Sequence, residues 1–212
     1  MIQNWSYSRY NTYNNCPRKA KYLYIDKLPE PPSEAINRGV ATHKLAEDYL
    51  NGTGKLPEEL AKFRRDFLWL RKEGARAEME LSLDREWMPT DWKAGWWRGK
   101  IDAILKADPF VVVDFKTGKV RESHHEQLSL YALACFSTFT EPSIQLLTVE
   151  LWYLDSGERI SGLYWPDDAP KIKETWQRKT EPMLADNTFA CRPGPLCNWC
   201  HFRKANGGPC EF

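Results

Sequence analysis

Several classes of protein are excluded by what this sequence lacks. No apolar run approaches the ~18 residues that a membrane-spanning helix needs, and the first residues contain neither the basic nor the apolar stretch of a signal peptide. No internal repeat and no low-complexity tract is present. The charge shows no excess of either sign, because 30 Lys and Arg face 29 Asp and Glu. Bulk attraction to nucleic acid is therefore not predicted, and we expect no contact with a membrane.

The composition and the hydrophobic pattern predict a globular α/β fold. Hydrophobic residues make up 42% and charged residues 28% of the 212 residues, which excludes a disordered chain. Helical periodicity predicts helices over residues 6–24, 35–49, 58–72, 123–136 and 169–185. Alternating and β-branched runs predict strands over residues 77–83, 97–105, 111–116, 148–154 and 159–165. This order of elements predicts a mixed sheet flanked by helices.

Two predicted strands carry the strongest chemical signal. Asp114 and Lys116 stand two residues apart at the end of one strand, so their side chains point to the same face of the sheet. Asp102 lies on the preceding strand, which a short turn joins to this one, so the two carboxylates can converge. Carboxylate oxygens are ligands that Mg²⁺ prefers, and a lysine beside them can orient the water that attacks a phosphodiester. A surface ion-pair cluster is the alternative, but Asp114 follows the apolar run 110–113, where an unused charge would be costly.

These residues resemble the core motif of the PD-(D/E)xK nuclease superfamily, which combines an aspartate like Asp102 with a segment like Asp114-Phe115-Lys116. Two further motifs resemble the RecB-type branch of that superfamily. One is a GxxxH motif that ends at His43, and the other is a QxxxY motif formed by Gln127 and Tyr131. In both motifs the end residues stand four apart and share a helical face. The resemblance implies a restriction-endonuclease-like α/β fold with a central mixed sheet flanked by helices.

The resemblance also implies a metal site. His43, Asp102 and Asp114 would hold Mg²⁺ or Mn²⁺, with the main-chain carbonyl of Phe115 as a further ligand. Glu80, on the strand before Asp102, is another candidate ligand, either directly or through a water molecule. The alternative for Glu80 is a residue on the solvent face of its strand.

A metal-dependent deoxyribonuclease is the activity that this resemblance implies. Lys116 would position and activate the attacking water, while Gln127 and Tyr131 would shape the site and contact the DNA backbone. The family suggests an exonuclease on single-stranded DNA ends, for recombination, repair, phage DNA processing or CRISPR adaptation. Basic side chains near the motifs are the candidate phosphate contacts: Arg9, Arg18, Lys19, Lys119 and Arg121.

The cysteines form a second constellation. Cys197 and Cys200 form a CxxC pair that Cys210 follows, and Cys16 stands far away near the start. One cysteine near the start and three near the end resemble the iron–sulfur nucleases of the RecB-type branch, which include AddB-type subunits and the CRISPR-adaptation nucleases of the fourth Cas family. The resemblance implies a 4Fe–4S cluster held by these four cysteines. It also implies a nuclease domain over residues 1–186 and a cluster-binding tail over residues 187–212.

Alternatives remain for the cysteines and for the activity. A zinc site also uses four thiolates, so the spacing does not separate it from a cluster. Cys191 lies in the same tail and could replace one of the four ligands, whereas Cys135 is expected to be a small buried hydrophobe. For the whole protein, the alternatives are a catalytically idle DNA-binding subunit and a zinc-stapled endonuclease. We expect a cytoplasmic protein of a prokaryotic cell or its phage, with a helicase or with recombination or CRISPR-adaptation proteins as partners.

Overall fold

A computed structural model of the chain describes residues 1–140 and 144–212. Within these ranges the chain forms six α-helices and five strands. The helices are α1 Tyr7–Asn15, α2 Pro17–Tyr24, α3 Glu34–Leu50, α4 Arg64–Lys72, α5 His125–Thr138 and α6 Ala169–Ala185. The strands are β1 Arg76–Leu83, β2 Trp97–Leu105, β3 Phe110–Lys116, β4 Leu147–Tyr153 and β5 Glu158–Tyr164. Short 3₁₀ segments follow Pro57, precede α5 and α6, and recur in the last 20 residues.

The five strands form one mixed sheet in the order β1-β2-β3-β4-β5. The pair β3 and β4 is parallel, whereas the other neighbouring pairs are antiparallel. All residues of β3 except Lys116 are buried, which suits its run of β-branched and aromatic side chains. The predicted mixed sheet flanked by helices is therefore confirmed.

Each face of the central strand packs against different helices. Val111, Val113 and Phe115 belong to an apolar core that also contains side chains of α3 and α4. Because side chains alternate along a strand, Val112 and Asp114 point to the opposite face. Helix α5 packs against β1, β4 and β5, and its side chains are buried on nearly every side. An acidic side chain at the end of β3 is thus enclosed between the sheet and a buried helix.

Two predicted helices are wrong in detail. The helix predicted over residues 6–24 is broken at Cys16, whose backbone is extended with φ −158° and ψ 109°. Pro17 disfavours a helical conformation at the residue before it and occupies the first position of α2, so it explains the break. The helix predicted over residues 58–72 begins as the 3₁₀ segment Glu58–Phe63 and becomes α-helical only at Arg64.

The described residues divide into two compact units. One unit combines Met1–Ser33 with Thr175–Phe212, and the other is Glu34–Glu174. The second unit contains the whole sheet. The first contains a small apolar cluster built on Tyr22, Phe202 and Cys210. The boundary between residues 186 and 187, which the family resemblance implies, stays a prediction. None of the helices among the described residues is long and apolar enough to span a bilayer.

Candidate metal and catalytic site

The candidate site lies beside Asp102, where the hydrogen-bonded pairing of β2 with β1 and with β3 is interrupted. On one side, the pairing of β2 with β3 ends at Ala103 and Val113. One position further on, the carboxylate of Asp102 accepts a hydrogen bond from the backbone N–H of Phe115, with Oδ2 and N 2.6 Å apart. On the other side, the β1–β2 register passes from Ala77–Ala103 to Met79–Ile101 without pairing Asp102. The sheet therefore opens at this point, and the carboxylate occupies the gap.

His43 reaches the same gap from α3. Its Nδ1 donates to Asp102 Oδ1 at 3.0 Å, and the aspartate is only 7% exposed. Burial, followed by the charge of Asp114, raises the pKa of Asp102 to about 6. Burial opposes a positive charge on His43, but the hydrogen bond that His43 donates to Asp102 and the negative charge of Asp102 outweigh that effect and raise the pKa of the imidazole. The site thus holds acidic groups out of water, and a cation would offset the cost.

Glu78 is the third member of this group. One ligand atom each from His43, Glu78 and Asp102 lies within 4.8 Å of the other two, and no other such group of His, Cys, Asp or Glu occurs among residues 1–140 and 144–212. Glu78 has a backbone φ of +53°, a left-handed conformation that is uncommon for residues with a side chain and that clusters at functional sites. One carboxylate oxygen of Glu78 also forms an ion pair with Lys100. These three groups are close enough together that they could hold a divalent cation.

The structure places Glu80 outside this group. Its side chain is exposed, and it pairs with Lys100 on β2. Both Glu78 and Glu80 lie on the polar side of an alternating strand, so periodicity alone does not distinguish them. The register of β1 against β2 does, because Glu78 and Asp102 are both left unpaired between the pairs Ala77–Ala103 and Met79–Ile101, whereas Glu80 is paired with Lys100. Sequence reasoning missed Glu78, and a correct register would have found it.

Asp114 and Lys116 form the second half of the site. Lys116 Nζ lies 2.6 Å from Asp114 Oδ2 and donates to Gln127 Oε1 at 2.8 Å. Asp114 is 4% exposed, and its buried Oδ2 is paired with the ammonium of Lys116. The shared strand face predicted for these two side chains is what the structure shows. Asp114 is thus a buried carboxylate beside a cation, and carboxylate oxygens are ligands that a hard divalent cation prefers.

Gln127 and Tyr131 hold Asp114 from α5. The other oxygen of Asp114 lies 2.8 Å from the Tyr131 hydroxyl and 3.1 Å from Gln127 Nε2. The same hydroxyl lies 3.1 Å from the carbonyl of Lys100, so α5 is tied to β2 as well as to β3. Burial, with the charge of Asp114, raises the pKa of Tyr131 far above its usual value, and the phenol stays protonated. These contacts describe positioning residues, and their predicted contact with the DNA backbone stays a prediction.

Asp155 ties the loop after Lys116 to the helix that carries His43. Its Oδ2 accepts from the backbone N–H of Gly118 at 2.7 Å, and its Oδ1 pairs with Arg38 of α3. Gly118 has a φ of +97°, which favours glycine there. At Gly39 of α3 a Cβ would lie 3.1 Å from a side-chain oxygen of the same loop. Helix α3 and the end of β3 are therefore held close together at the site.

His124 is a further side chain beside the site. It is half-buried, its ring stacks on Tyr153 with an interplanar angle of 15°, and its Nδ1 lies 2.8 Å from the tyrosine hydroxyl. Burial, followed by the positive charge of Lys116, lowers the pKa of His124 to about 4. The imidazole is therefore neutral near pH 7.

The tail cysteines are free thiols gathered in the first unit. Cys191 Sγ lies 3.5 Å from Cys210 Sγ, and both pack with Cys200 against the cluster of Tyr22 and Phe202. Burial, then hydrogen bonding to Cys210 and the charge of Cys16, raises the pKa of the Cys191 thiol to about 12. Cys197 is not part of these contacts. No four of the described thiols lie within 4.8 Å of one another, so the cluster stays a prediction. Cys135 is fully buried in α5, as expected of a small hydrophobe.

The candidate phosphate contacts differ in their surroundings. In the first unit, Arg9 stacks over Tyr24 and donates to Asn4, while Arg18 Nε donates to the Phe189 carbonyl at 2.8 Å. Lys19 forms a 2.7 Å ion pair with Glu30. In the second unit, Lys119 and Arg121 are exposed in the loop that follows β3. The latter two stand three and five residues after Lys116.

Comparison with known proteins points to one family. A sequence model described as "PD-(D/E)XK nuclease superfamily" matches residues 4–205. This range includes every residue of the site described above. No curated protein is a significant match to the chain. Among solved structures, the chain is similar to one described as "Crystal structure of SSO0001", with 17% identity and a TM-score of 0.49, over 100% of this chain and 87% of that one. At this TM-score the likeness carries no argument about the site.

Proposed function

The chain belongs to the PD-(D/E)XK nuclease superfamily, and we propose that it is a metal-dependent nuclease that hydrolyses phosphodiester bonds of DNA. The observation that carries the proposal is the group of His43, Glu78 and Asp102 at an opening of the sheet, together with the buried pair of Asp114 and Lys116 on the next strand. A protein without enzymatic activity has little use for two buried carboxylates and an ammonium in one site.

The residues present fit a divalent cation. Nitrogen and oxygen ligands come from His43, Glu78 and Asp102, and Asp114 Oδ2 is a further buried carboxylate oxygen, paired with Lys116. Mn²⁺ accepts such a mixed ligand set, and Mg²⁺ accepts its oxygens. When bound, the cation would activate water and neutralise the charge that develops on the phosphate. The Phe115 carbonyl is proposed as a further ligand.

The other residues of the site would orient the reactants. Lys116 is partly exposed and held between Asp114 and Gln127, and it can donate to the attacking water or to a phosphate oxygen. Gln127 and Tyr131 keep the Asp114 carboxylate in one orientation. This arrangement supports the proposal because attack on phosphorus requires the nucleophile and the phosphate to be aligned.

We propose that DNA phosphates contact Lys119 and Arg121 near the site. Both are exposed and lie within a few residues of Lys116, so a phosphate at the site would come within their reach. Arg9, Arg18 and Lys19 are bound to partners within the protein, and their phosphate contacts are a separate proposal.

We further propose that the substrate is a single-stranded DNA end, and that the enzyme acts in recombination, repair, phage DNA processing or CRISPR adaptation. The test uses linear single-stranded, linear double-stranded and circular single-stranded DNA, each with Mn²⁺, with Mg²⁺ or without metal. We expect metal-dependent loss of the linear single strand from its ends, while the circle persists because it has no end. Cleavage of the circle would contradict exonuclease action, and an inactive protein would contradict the nuclease proposal itself.

A 4Fe–4S cluster held by Cys16, Cys197, Cys200 and Cys210 is the second part of the proposal. Free thiols beside the small apolar cluster of Tyr22 and Phe202 support it, because thiolates are the ligands of such clusters. Among the described residues the buried members of this cluster are Tyr22, Phe202 and Cys210, so metal binding would contribute to holding the tail in place. A structural zinc ion at the same thiols is the alternative.

Anaerobically purified protein is expected to be brown, with absorbance near ~400 nm and about four iron atoms per chain. Cys210→Ser should lose the iron and lower the melting temperature, because one ligand and a buried contact disappear. Cys191→Ser should keep the iron, and Cys135→Ser is the matched control for loss of a thiol. If Cys191→Ser loses the iron and Cys210→Ser keeps it, then Cys191 is the fourth ligand. Stoichiometric zinc without iron would contradict the cluster and leave the nuclease proposal intact.

A further inference from the structure

The side chain of Trp199 is exposed in a protein that buries most of its tryptophans. Trp199 is 78% exposed, the highest value for a large hydrophobic side chain among the described residues, whereas Trp176 and Trp5 of the same unit are 1% exposed. Leu196, three residues earlier in the same 3₁₀ turn, is 61% exposed. An exposed aromatic and aliphatic pair of this kind commonly marks a contact surface.

The loop that presents Trp199 is held by hydrogen bonds on both sides. The N–H of Cys197 donates to the Gly194 carbonyl, and the N–H of Cys200 donates to the Cys197 carbonyl. Asn206 Nδ2 donates to the Cys200 carbonyl at 2.9 Å. The backbone around the indole is thus ordered, so the ring is displayed by a defined turn rather than by a loose end.

The sequence around this ring is rich in positive charge. Between residues 187 and 210 the sequence contains Arg192, Arg203 and Lys204 but no Asp or Glu. Arg203 Nη1 donates to Asn198 Oδ1 at 3.0 Å, which places a guanidinium beside the residue that precedes Trp199. Lys204 is exposed. An aromatic face next to cations matches the way proteins hold single-stranded nucleic acid, with a base stacked on the ring and phosphates on the cations.

We infer that Trp199, with Arg203 and Lys204, forms a binding surface for single-stranded DNA, in which an unpaired base stacks on the indole. The inference rests on the proposed nuclease function and extends it, since it assigns to the cysteine-rich tail a contact with the substrate. Leu196 widens the apolar surface under the sugar and base. Stacking on an indole requires an unpaired base, so the surface favours single strands over duplexes.

The test measures binding of a fluorescent oligothymidylate to the full chain in the Asp114→Asn background, so that the DNA stays intact. Trp199→Ala should weaken binding about tenfold, as expected for loss of one stacked base, and Trp199→Phe should recover most of the affinity. Lys204→Ala should reduce the salt dependence of binding. Trp165→Ala removes a tryptophan that is 49% exposed in the other unit and is the matched control, with unchanged binding.

A second DNA separates stacking from folding effects. An abasic oligomer of equal length has the same phosphates and no bases. The Asp114→Asn parent should bind this oligomer as weakly as the Trp199→Ala variant binds the thymidylate. The Trp199→Ala variant should bind both oligomers with the same affinity. Equal affinity of Trp199→Ala and its parent for the thymidylate would overturn the inference. The inference would also fail if Trp199→Ala weakened binding of the abasic oligomer as much as binding of the thymidylate. Both results are distinct from failure of the nuclease proposal, which would appear as a wild-type protein that cleaves no DNA with Mn²⁺.

Discussion

Asp114→Asn is expected to lower the rate of DNA cleavage by at least about 10³-fold, or roughly 4 kcal/mol of transition-state stabilisation. Asparagine has the shape of aspartate and can keep the contact with Tyr131, but it lacks the negative charge that faces Lys116. The variant therefore loses a metal ligand and the ion pair while the surrounding residues keep their places. Single-turnover cleavage at saturating Mn²⁺, together with a melting curve, measures the two effects separately.

Two variants serve as controls for this result. Asp167→Asn removes an exposed carboxylate in the same unit and should leave cleavage unchanged. Lys116→Met should lose cleavage to a similar degree but keep most of its affinity for Mn²⁺, because the proposed mechanism has Lys116 act on the water and phosphate rather than on the metal. If Asp114→Asn cleaves at close to the wild-type rate, the site is placed wrongly.

Glu78→Gln is expected to weaken Mn²⁺ binding by about 10- to 100-fold, the range seen when groups that hold a metal site are lost. Glu80→Gln removes the same charge from the same strand two residues later and should change the affinity by less than about twofold, since its side chain faces solvent. Because the two substitutions are chemically identical, the difference between them reports position alone. Calorimetric titration of each variant with Mn²⁺ gives both affinities directly.

Lys100→Met decides whether Glu78 acts through the metal or only through its ion pair with Lys100. If Glu78 is a metal ligand, Lys100→Met should leave the Mn²⁺ affinity near that of the wild type. An equal loss of Mn²⁺ affinity in Lys100→Met and Glu78→Gln would show that Glu78 acts only through its ion pair with Lys100. Equal losses in Glu78→Gln and Glu80→Gln would show that net charge, and not the register of β1, sets the affinity.

The same interruption of the sheet accounts for both halves of the site. Where the ladders beside Asp102 stop, backbone groups need other partners, and the Asp102 carboxylate supplies one for Phe115. The helices on the two faces contribute further groups, His43 from α3, and Gln127 and Tyr131 from α5. A metal-dependent nuclease needs such a place, because ligands from one strand alone cannot surround a cation.

Local pattern was sufficient for much of this protein. The strand over residues 97–105 and the helix over residues 169–185 have the predicted bounds. Burial of one or two faces of an element places apolar residues at a regular period in the sequence, so the element can be recognised from that period. The shared face of Asp114 and Lys116 followed from the same rule. The family motifs added His43 and the partners on α5, which no periodicity would have connected with a strand.

Tertiary structure alone decided what depends on elements that are distant in the sequence. The position of Glu78, rather than Glu80, beside Asp102 depends on the register of β1 against β2. The hydrogen bond between Asp155 and the backbone of Gly118 joins residues that are 37 positions apart in the sequence. The contact of Cys191 with Cys210 likewise depends on how the tail folds. Sequence determines which side of an element is apolar, because burial acts on each residue locally. It does not show which polar groups meet, because that requires the packing of all the elements at once.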